Sequence, residues 1–464
     1  MKRMYYAESA LSESFIARRA RVVAAATVDW CRARQQNNFQ LFLPKLREMV
    51  ALMREEAACR TAAEQRYRAA LGELPAPGAS PAPIYESLLH MFEPGMSVAD
   101  VDSIFDAMKA WLPQLLTAIV EQQTAAERRE PAAYAYVQRL RDVCIPVAAQ
   151  AALNRHCMEL LEYDFEAGRL DVSPHPFTSL QKTDARVTTH YDEHNYMKTL
   201  FATIHETGHG RYEQCCGPRA LLGQPVCHAR SLMMHETQSR FLEVMVGRSG
   251  AFAAYIQPHL LRHYAAAPPE PGRAPGVEGA AEQDTLREAF GREEKVRYLH
   301  QRVEPGLIRL EADEVCYPLH IILRYEIERA LVEGTMEAED VPRVWNEKMK
   351  QYLGLDPGDR DDLGCLQDMH WSQGFFGYFP TYTLGSMFAA QLMATIRREL
   401  GEAEVARCIA AGELAPIFAQ QKAKIWDQGC LYETEDLMRR ATGEKLNPKY
   451  FREHLERRYL RRED

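Results

Sequence analysis

Phe201–Gln214 reads FATIHETGHGRYEQ. Met197, Leu200, Phe201 and Ile204 lead into it at three- and four-residue steps, which is one apolar face of an α-helix. The helix reading therefore does not depend on the histidines. Continued through the stretch, it sets His205 and His209 on one face with Cβ atoms about 5–6 Å apart, so both rings can direct a nitrogen at one ion. Glu206 sits one position round, beside such an ion rather than on it. A carboxylate there takes a proton from metal-bound water, whose pKa the ion lowers to roughly 7, and passes it to a leaving amine. Gly208 and Gly210 each cost a helix up to about 1 kcal/mol relative to alanine, an expense that predicts a close approach to the backbone. The pattern fixes only three positions in five, so two polar residues on an ordinary helix stand as the plain alternative.

A catalytic zinc takes three protein ligands and leaves a position open. The missing one is sought on SLMMHETQSRFLEVMVG, Ser231–Gly247, where Phe241, Leu242 and Met245 keep core spacing. Glu236 and His235 are rivals there, because adjacent helical residues point about 100° apart and only one reaches an ion. Glu213, four past His209, is a third rival that would put every ligand on one helix. Spacing leans to Glu236. His190 and His194 in THYDEHNY share the four-residue step, but Tyr191 stands where a base would be, so they read as a surface pair or as neighbours of a site.

The chain has 464 residues, 46% hydrophobic and 26% charged, an ordinary globular composition. Fifty-six Lys and Arg against 65 Asp and Glu give a net charge of -9, and no basic stretch is interleaved with aromatics, which argues against nucleic acid. The basic ending Arg457, Arg458, Arg461, Arg462 reads as a solvated last turn. Eleven cysteines without CxxC spacing and an opening without an apolar signal segment point to buried free thiols in a cytoplasmic protein. Gly374–Ile396 carries no charge and is long enough to span a bilayer, but Pro380, Gly385 and its hydroxyls favour a buried loop and core helix, with no membrane partner.

The helical period dominates from Ser12 to Arg68 and resumes after Ser97, a candidate N-cap. Breaker-rich stretches at Pro75–Ile84 and Ala265–Gln283 read as loops on one body. Thr and Val cluster within His175–Tyr191, which predicts at most a small β-hairpin or short sheet near 177–190. The expectation is an all-α, mainly helical chain forming a single domain over 1–464: a helical lobe to about 170, a metal-site core at about 171–400, and terminal helices at about 401–464.

HETGHGRYEQ followed by HETQSR resembles the thermostable carboxypeptidase Taq family of zinc metallocarboxypeptidases. HPF (His175–Phe177), DARVT (Asp184–Thr188), IRLEAD (Ile308–Asp313) and GCLQDMHW (Gly364–Trp371) fall in the family's order, and flanking helical segments extend the likeness over most of the chain. The resemblance implies His205, His209 and Glu236 as zinc ligands and Glu206 as catalytic base. It further implies a two-lobed helical body around a deep groove, release of single residues from peptide C-termini, and a homodimer. FLPKLREMV comes early, so a helical stretch that relatives carry ahead of it is expected to be shortened or absent here.

Within those blocks, Arg186 and Arg309 are candidates to hold a substrate carboxylate through paired charge-assisted hydrogen bonds; pairing with Asp184 or Asp313 is the structural alternative. His370 and Tyr382 are candidate donors to an oxyanion. Gln367, Asp368 and Asp313 are expected to orient histidines, and Trp371 to pack. Zinc is expected, with cobalt or another divalent ion also suited to a His/His/Glu site. An oligopeptidase using the same site and, less favoured, a non-catalytic helical scaffold are the alternatives.

Overall fold

The computed structural model describes residues 2–73, 82–179, 181–265 and 277–461; the two breaker-rich stretches and Arg462 fall largely or wholly outside them. The fold is mainly helical. The helices that matter below are, in chain order, α1 (Glu13–Gln35), α2 (Leu43–Leu71), α3 (Val98–Arg129), α4 (Tyr196–Cys215), α5 (Leu232–Arg240), α6 (Tyr317–Glu333) and α7 (Phe379–Leu400).

Their ends follow local chemistry. Ser12 Oγ accepts from the Phe15 amide at 3.2 Å to start α1, and Pro44 enters α2 in its first turn, where a missing N–H is no loss. Ser97 caps α3 as expected, accepting from Asp100 N at 3.0 Å. The uncharged segment resolves into a loop and α7, with Pro380 in the first turn of that helix. Among the described residues, no helix is long and apolar enough to cross a membrane.

The chain makes two compact units, Met1–Leu116 with Glu304–Thr383, and Thr117–Val303 with Leu384–Asp464. In the first, α6 is buried along most of its length. Its start is fixed by Asp313, whose Oδ1 accepts from Val315 N and Cys316 N, both at 2.9 Å, and whose Oδ2 accepts from Glu304 N at 3.1 Å. Asp313 thus organises a helix N-terminus instead of orienting a histidine.

In the second unit, β1 (Leu170–Val172) pairs with β2 (Val187–Thr189), Leu170 lying opposite Val187. The strand expected near 177–190 is β2. Its partner lies earlier and runs parallel, which the long link 173–186 permits; among the described residues an isolated antiparallel bridge joins Thr178 to Val187. Beneath the sheet, Met158, Tyr163 and Val187 form an apolar cluster. Helix α4 is capped by the Asn195 side chain on Lys198 N, and α5 by Ser231 on Met234 N. Beyond α5 the chain continues as a π-helical segment, Phe241–Val246, a wide turn that often marks functional positions. The basic ending differs from expectation: Arg458 is buried and donates to the Val244 carbonyl at 2.9 Å, and Arg457 pairs with Glu402. All eleven cysteines are free thiols.

Candidate metal centre

Helices α4 and α5 pack against each other through glycine. A Cβ on Gly208 would stand 2.6 Å from Ser239 Cα and 2.7 Å from the Gln238 carbonyl oxygen, and one on Gly210 would stand 2.8 Å from the Tyr163 ring. The backbone approach predicted from the cost of these glycines is therefore helix α5 on one side and the cluster beneath the sheet on the other.

At that crossing His205, His209 and Glu236 offer ligand atoms all within 4.8 Å of one another. Glu236 Oε2 lies 3.6 Å from His205 Nε2 and 3.5 Å from His209 Nε2. Two donors each about 2.1 Å from one tetrahedral ion stand about 3.4 Å apart, so this spacing fits a shared ion. Two further observations agree. Glu236 Oε1 is buried without a hydrogen bond, so the carboxylate keeps an unmet acceptor beside the oxygen that faces the histidines. Burial would lower the His205 imidazole, yet Glu236, Glu243 and Glu206 hold it at about 9; the local field calls for positive charge. The residues present suit a divalent cation. Among the described residues no other His, Cys, Asp or Glu cluster has this geometry. His190 and His194 are exposed and take no part in one.

Each histidine is braced from behind. His205 Nδ1 lies 3.0 Å from Glu243 Oε2, which also accepts from Arg240 Nη1 at 2.7 Å, while Glu243 Oε1 faces Arg248 Nη2 at 3.5 Å. Burial would raise the Glu243 carboxyl, but Arg240 and His205 hold it down at about 2. His209 Nδ1 lies 2.8 Å from His235 Nδ1, and His235 Nε2 lies 2.8 Å from Glu213 Oε1. The rivals His235 and Glu213 thus stand one and two steps behind His209. Burial lowers the His235 imidazole below its ordinary value, against the opposing pull of Glu213.

Glu206 is held at the same place. Thr178 Oγ1 donates to Glu206 Oε2 at 2.6 Å and lies 3.0 Å from its carbonyl oxygen. Helix α7 adds a further glycine, since a Cβ on Gly385 would stand 2.8 Å from Glu236 Cβ and Cγ. Sequence reasoning missed Thr178, Glu243 and Gly385. Glu243 had a signal: it is a lone charge in the apolar run FLEVMV, seven residues past Glu236 and so close to its helical face.

Arg186 is half exposed and pairs with Asp184, Nη2 to Oδ2 at 2.8 Å. The remaining candidates belong to the first unit. Arg309 is buried, and its Nε and Nη2 reach Asp368 Oδ1 at 3.0 and 2.8 Å. Arg324 Nε reaches Asp368 Oδ2 at 2.6 Å. Asp368 therefore binds two guanidiniums where it was expected to orient a histidine. Gln367 likewise serves the loop, accepting from Arg309 N at 2.8 Å and donating to the Leu307 carbonyl at 3.0 Å. His370 Nε2 lies 3.1 Å from the Tyr382 hydroxyl, and the Arg309 guanidinium lies 5.1 Å from the Tyr382 ring centre. Trp371 packs on Phe376 and donates Nε1 to Glu328 at 3.2 Å.

Known proteins show the family of the chain. A family profile described as "Carboxypeptidase Taq (M32) metallopeptidase" matches residues 1–459. Thermostable carboxypeptidase 1 of Thermus thermophilus is 35% identical over 463 residues, covering 99% of this chain and 81% of its own length. Carboxypeptidase 1 of Bacillus subtilis is 34% identical over 435 residues, covering 94% and 76%. The solved structure of Trypanosoma cruzi metallocarboxypeptidase 1 superposes with a TM-score of 0.84 at 45% identity, covering 98% of this chain and 82% of that one. With a likeness that runs the length of the chain in both sequence and fold, this protein belongs to the carboxypeptidase Taq (M32) family of metallopeptidases and is a peptide hydrolase that works with a divalent metal.

Proposed function

We propose that the enzyme releases single amino acids from the C-termini of peptides, with His205, His209 and Glu236 as the ligands of a zinc ion and Glu206 as general base. The observation that carries the reading is the convergence of His205 Nε2, His209 Nε2 and Glu236 Oε2 with the Glu206 carboxylate next to them in the chain. A divalent ion bound there supplies a Lewis acid for the scissile carbonyl and makes water more acidic. Zinc suits this donor set, and cobalt is the natural substitute.

The residues of the chain supply the remainder. Thr178 occupies Glu206 Oε2, so Oε1 is the oxygen that takes the proton of the attacking water and returns it to the leaving amine. Arg186 is the favoured anchor for the substrate's terminal carboxylate: exchanging an exposed partner such as Asp184 costs little, whereas freeing buried Arg309 from Asp368 leaves an uncompensated buried charge. Arg309 then acts as a fixed positive centre behind Tyr382. His370 and Tyr382, already hydrogen-bonded to each other, are the proposed donors to the developing oxyanion. The chain is taken as one catalytic domain, working as a homodimer. Its eleven free thiols suit the cytoplasm.

The test is a single peptide supplied with a free and with an amidated C-terminus, digested by the metal-loaded enzyme and read by mass spectrometry. The free form is shortened residue by residue and the amidated form resists. Internal cleavage of both forms alike would make the enzyme an oligopeptidase.

A further inference from the structure

His209 has two ring nitrogens with separate duties. Nε2 faces Glu236 Oε2, and Nδ1, on the opposite side of the ring, lies 2.8 Å from His235 Nδ1. Two imidazole nitrogens at this distance share one proton, so one ring donates and the other accepts. The next contact decides which. His235 Nε2 lies 2.8 Å from Glu213 Oε1, and an ionised carboxylate only accepts. The proton of His235 therefore sits on Nε2, its Nδ1 presents a lone pair, and His209 must donate from Nδ1. That leaves the lone pair of His209 on Nε2, directed at the Glu236 side. The chain ends at Lys182, whose Nζ is 3.8 Å from Glu213 Oε2. Both His235 and Glu213 are buried, so water does not compete for these contacts.

The opposite arm is built differently. His205 donates directly to a carboxylate, Glu243, flanked by Arg240 and Arg248. On the His209 side a second imidazole, that of His235, is inserted between His209 and the carboxylate of Glu213. Helix geometry explains how one short helix serves both purposes: His235 and Glu236 are adjacent, so they point about 100° apart, one toward the ion's place and the other toward the back of His209.

We infer that His235 and Glu213 are positioning residues for the metal centre, a relay that fixes the tautomer and ring orientation of His209 as a metal donor. This rests on the proposed metal reading of His205, His209 and Glu236. Outer partners of this kind are worth roughly 10–100-fold in metal affinity.

The experiment uses the full chain, stripped with a chelator and dialysed, then titrated with zinc against a chromophoric competitor, with the cobalt absorption spectrum and thermal unfolding of the metal-free form recorded alongside. His235→Leu removes the acceptor and is expected to weaken zinc binding roughly 10–100-fold and to alter the cobalt spectrum. His235→Asn, whose Oδ1 takes the place of Nδ1, restores most of the affinity. Glu213→Gln still accepts from His235 and stays near wild type, while Glu213→Leu behaves like His235→Leu. Should His235→Leu fail to fold, the Glu213→Leu and Glu213→Gln pair decides alone. Wild-type affinity in both leucine variants overturns the relay while leaving the metal centre intact; a wild type that binds neither zinc nor cobalt overturns the metal reading and the relay with it.

Discussion

Gly208 and Ser239 meet so closely that a Cβ on the glycine would lie 2.6 Å from the serine Cα. This contact sets the separation of α4 and α5, and with it the reach of His205 and His209 to Glu236. Two glycines that weaken α4 as a helix are thereby explained by what they let approach.

Gly208→Ala is the first prediction. The added methyl meets backbone, which has no rotamer to escape into, so overpacking of about 1–3 kcal/mol is expected. Because the crowding separates the ligand-bearing helices, zinc affinity falls with stability. Urea unfolding of the metal-free protein together with a zinc titration reads both; unchanged values in each would show that the helix crossing does not set the site.

Thr178→Val tests how Glu206, the proposed base, is held. Loss of one hydrogen bond to a charged group is worth about 1.5 kcal/mol, or roughly tenfold in kcat, with metal content and KM little changed. Glu206→Gln, which removes the base itself, is expected to lower kcat by roughly 10²–10⁴ with the metal retained. A Glu206→Gln enzyme of full activity would remove the residue from the mechanism.

Asp368 gives the pH dependence. Burial would raise its carboxyl, but Arg309 and Arg324 outweigh that and hold it well below the ordinary carboxylate range. A depressed folded pKa means the unfolded chain binds the proton more readily, so the stabilisation is complete above the unfolded value of about 3.9 and drains away as pH falls below it. Asp368→Asn is therefore expected to lose roughly 3–5 kcal/mol at neutral pH, the cost of breaking a buried pair, and to converge on the wild type in acid. Denaturant melts at pH 7 and at about pH 3 check this; a deficit that is the same at both would contradict it.

Arg186 and Arg309 part in their effects. Arg186→Ala is expected to raise KM for free-carboxylate peptides while leaving the fold unchanged, because among the described residues its guanidinium pairs with the exposed Asp184. Arg309→Ala is expected to destabilise the protein first, since it strips buried Asp368 Oδ1 of both guanidinium hydrogen bonds and leaves only Arg324 on that carboxylate. Steady-state kinetics beside thermal melts separate the two, and an Arg186→Ala enzyme with unaltered KM would shift the anchoring role elsewhere.

The helices and the alignment of the two histidines were legible because both rest on local spacing, whereas Glu236, on a second helix, was singled out from His235 chiefly by the family resemblance. Apolar steps at Met197, Leu200, Phe201 and Ile204 define α4, and helical geometry alone aligns His205 with His209. Partners contributed by distant segments were not legible. Thr178 reaches Glu206 from the link between β1 and β2, and Gly385 meets Glu236 from α7; no spacing relates such pairs. The parallel sense of the small sheet depends on a crossover that β-propensity cannot report. Asp313 and Asp368 were recognised as important without their partners being known, because a carboxylate in a sequence does not declare whether it faces an amide, a guanidinium or an imidazole.

Metal content measured by elemental analysis on the wild type and on Glu236→Ala, both purified without chelator, tests the centre most directly. The account predicts stoichiometric zinc or another divalent ion in the wild type and its loss, together with activity, when Glu236 is removed. Full metal occupancy in Glu236→Ala, or none in an active wild type, would contradict it.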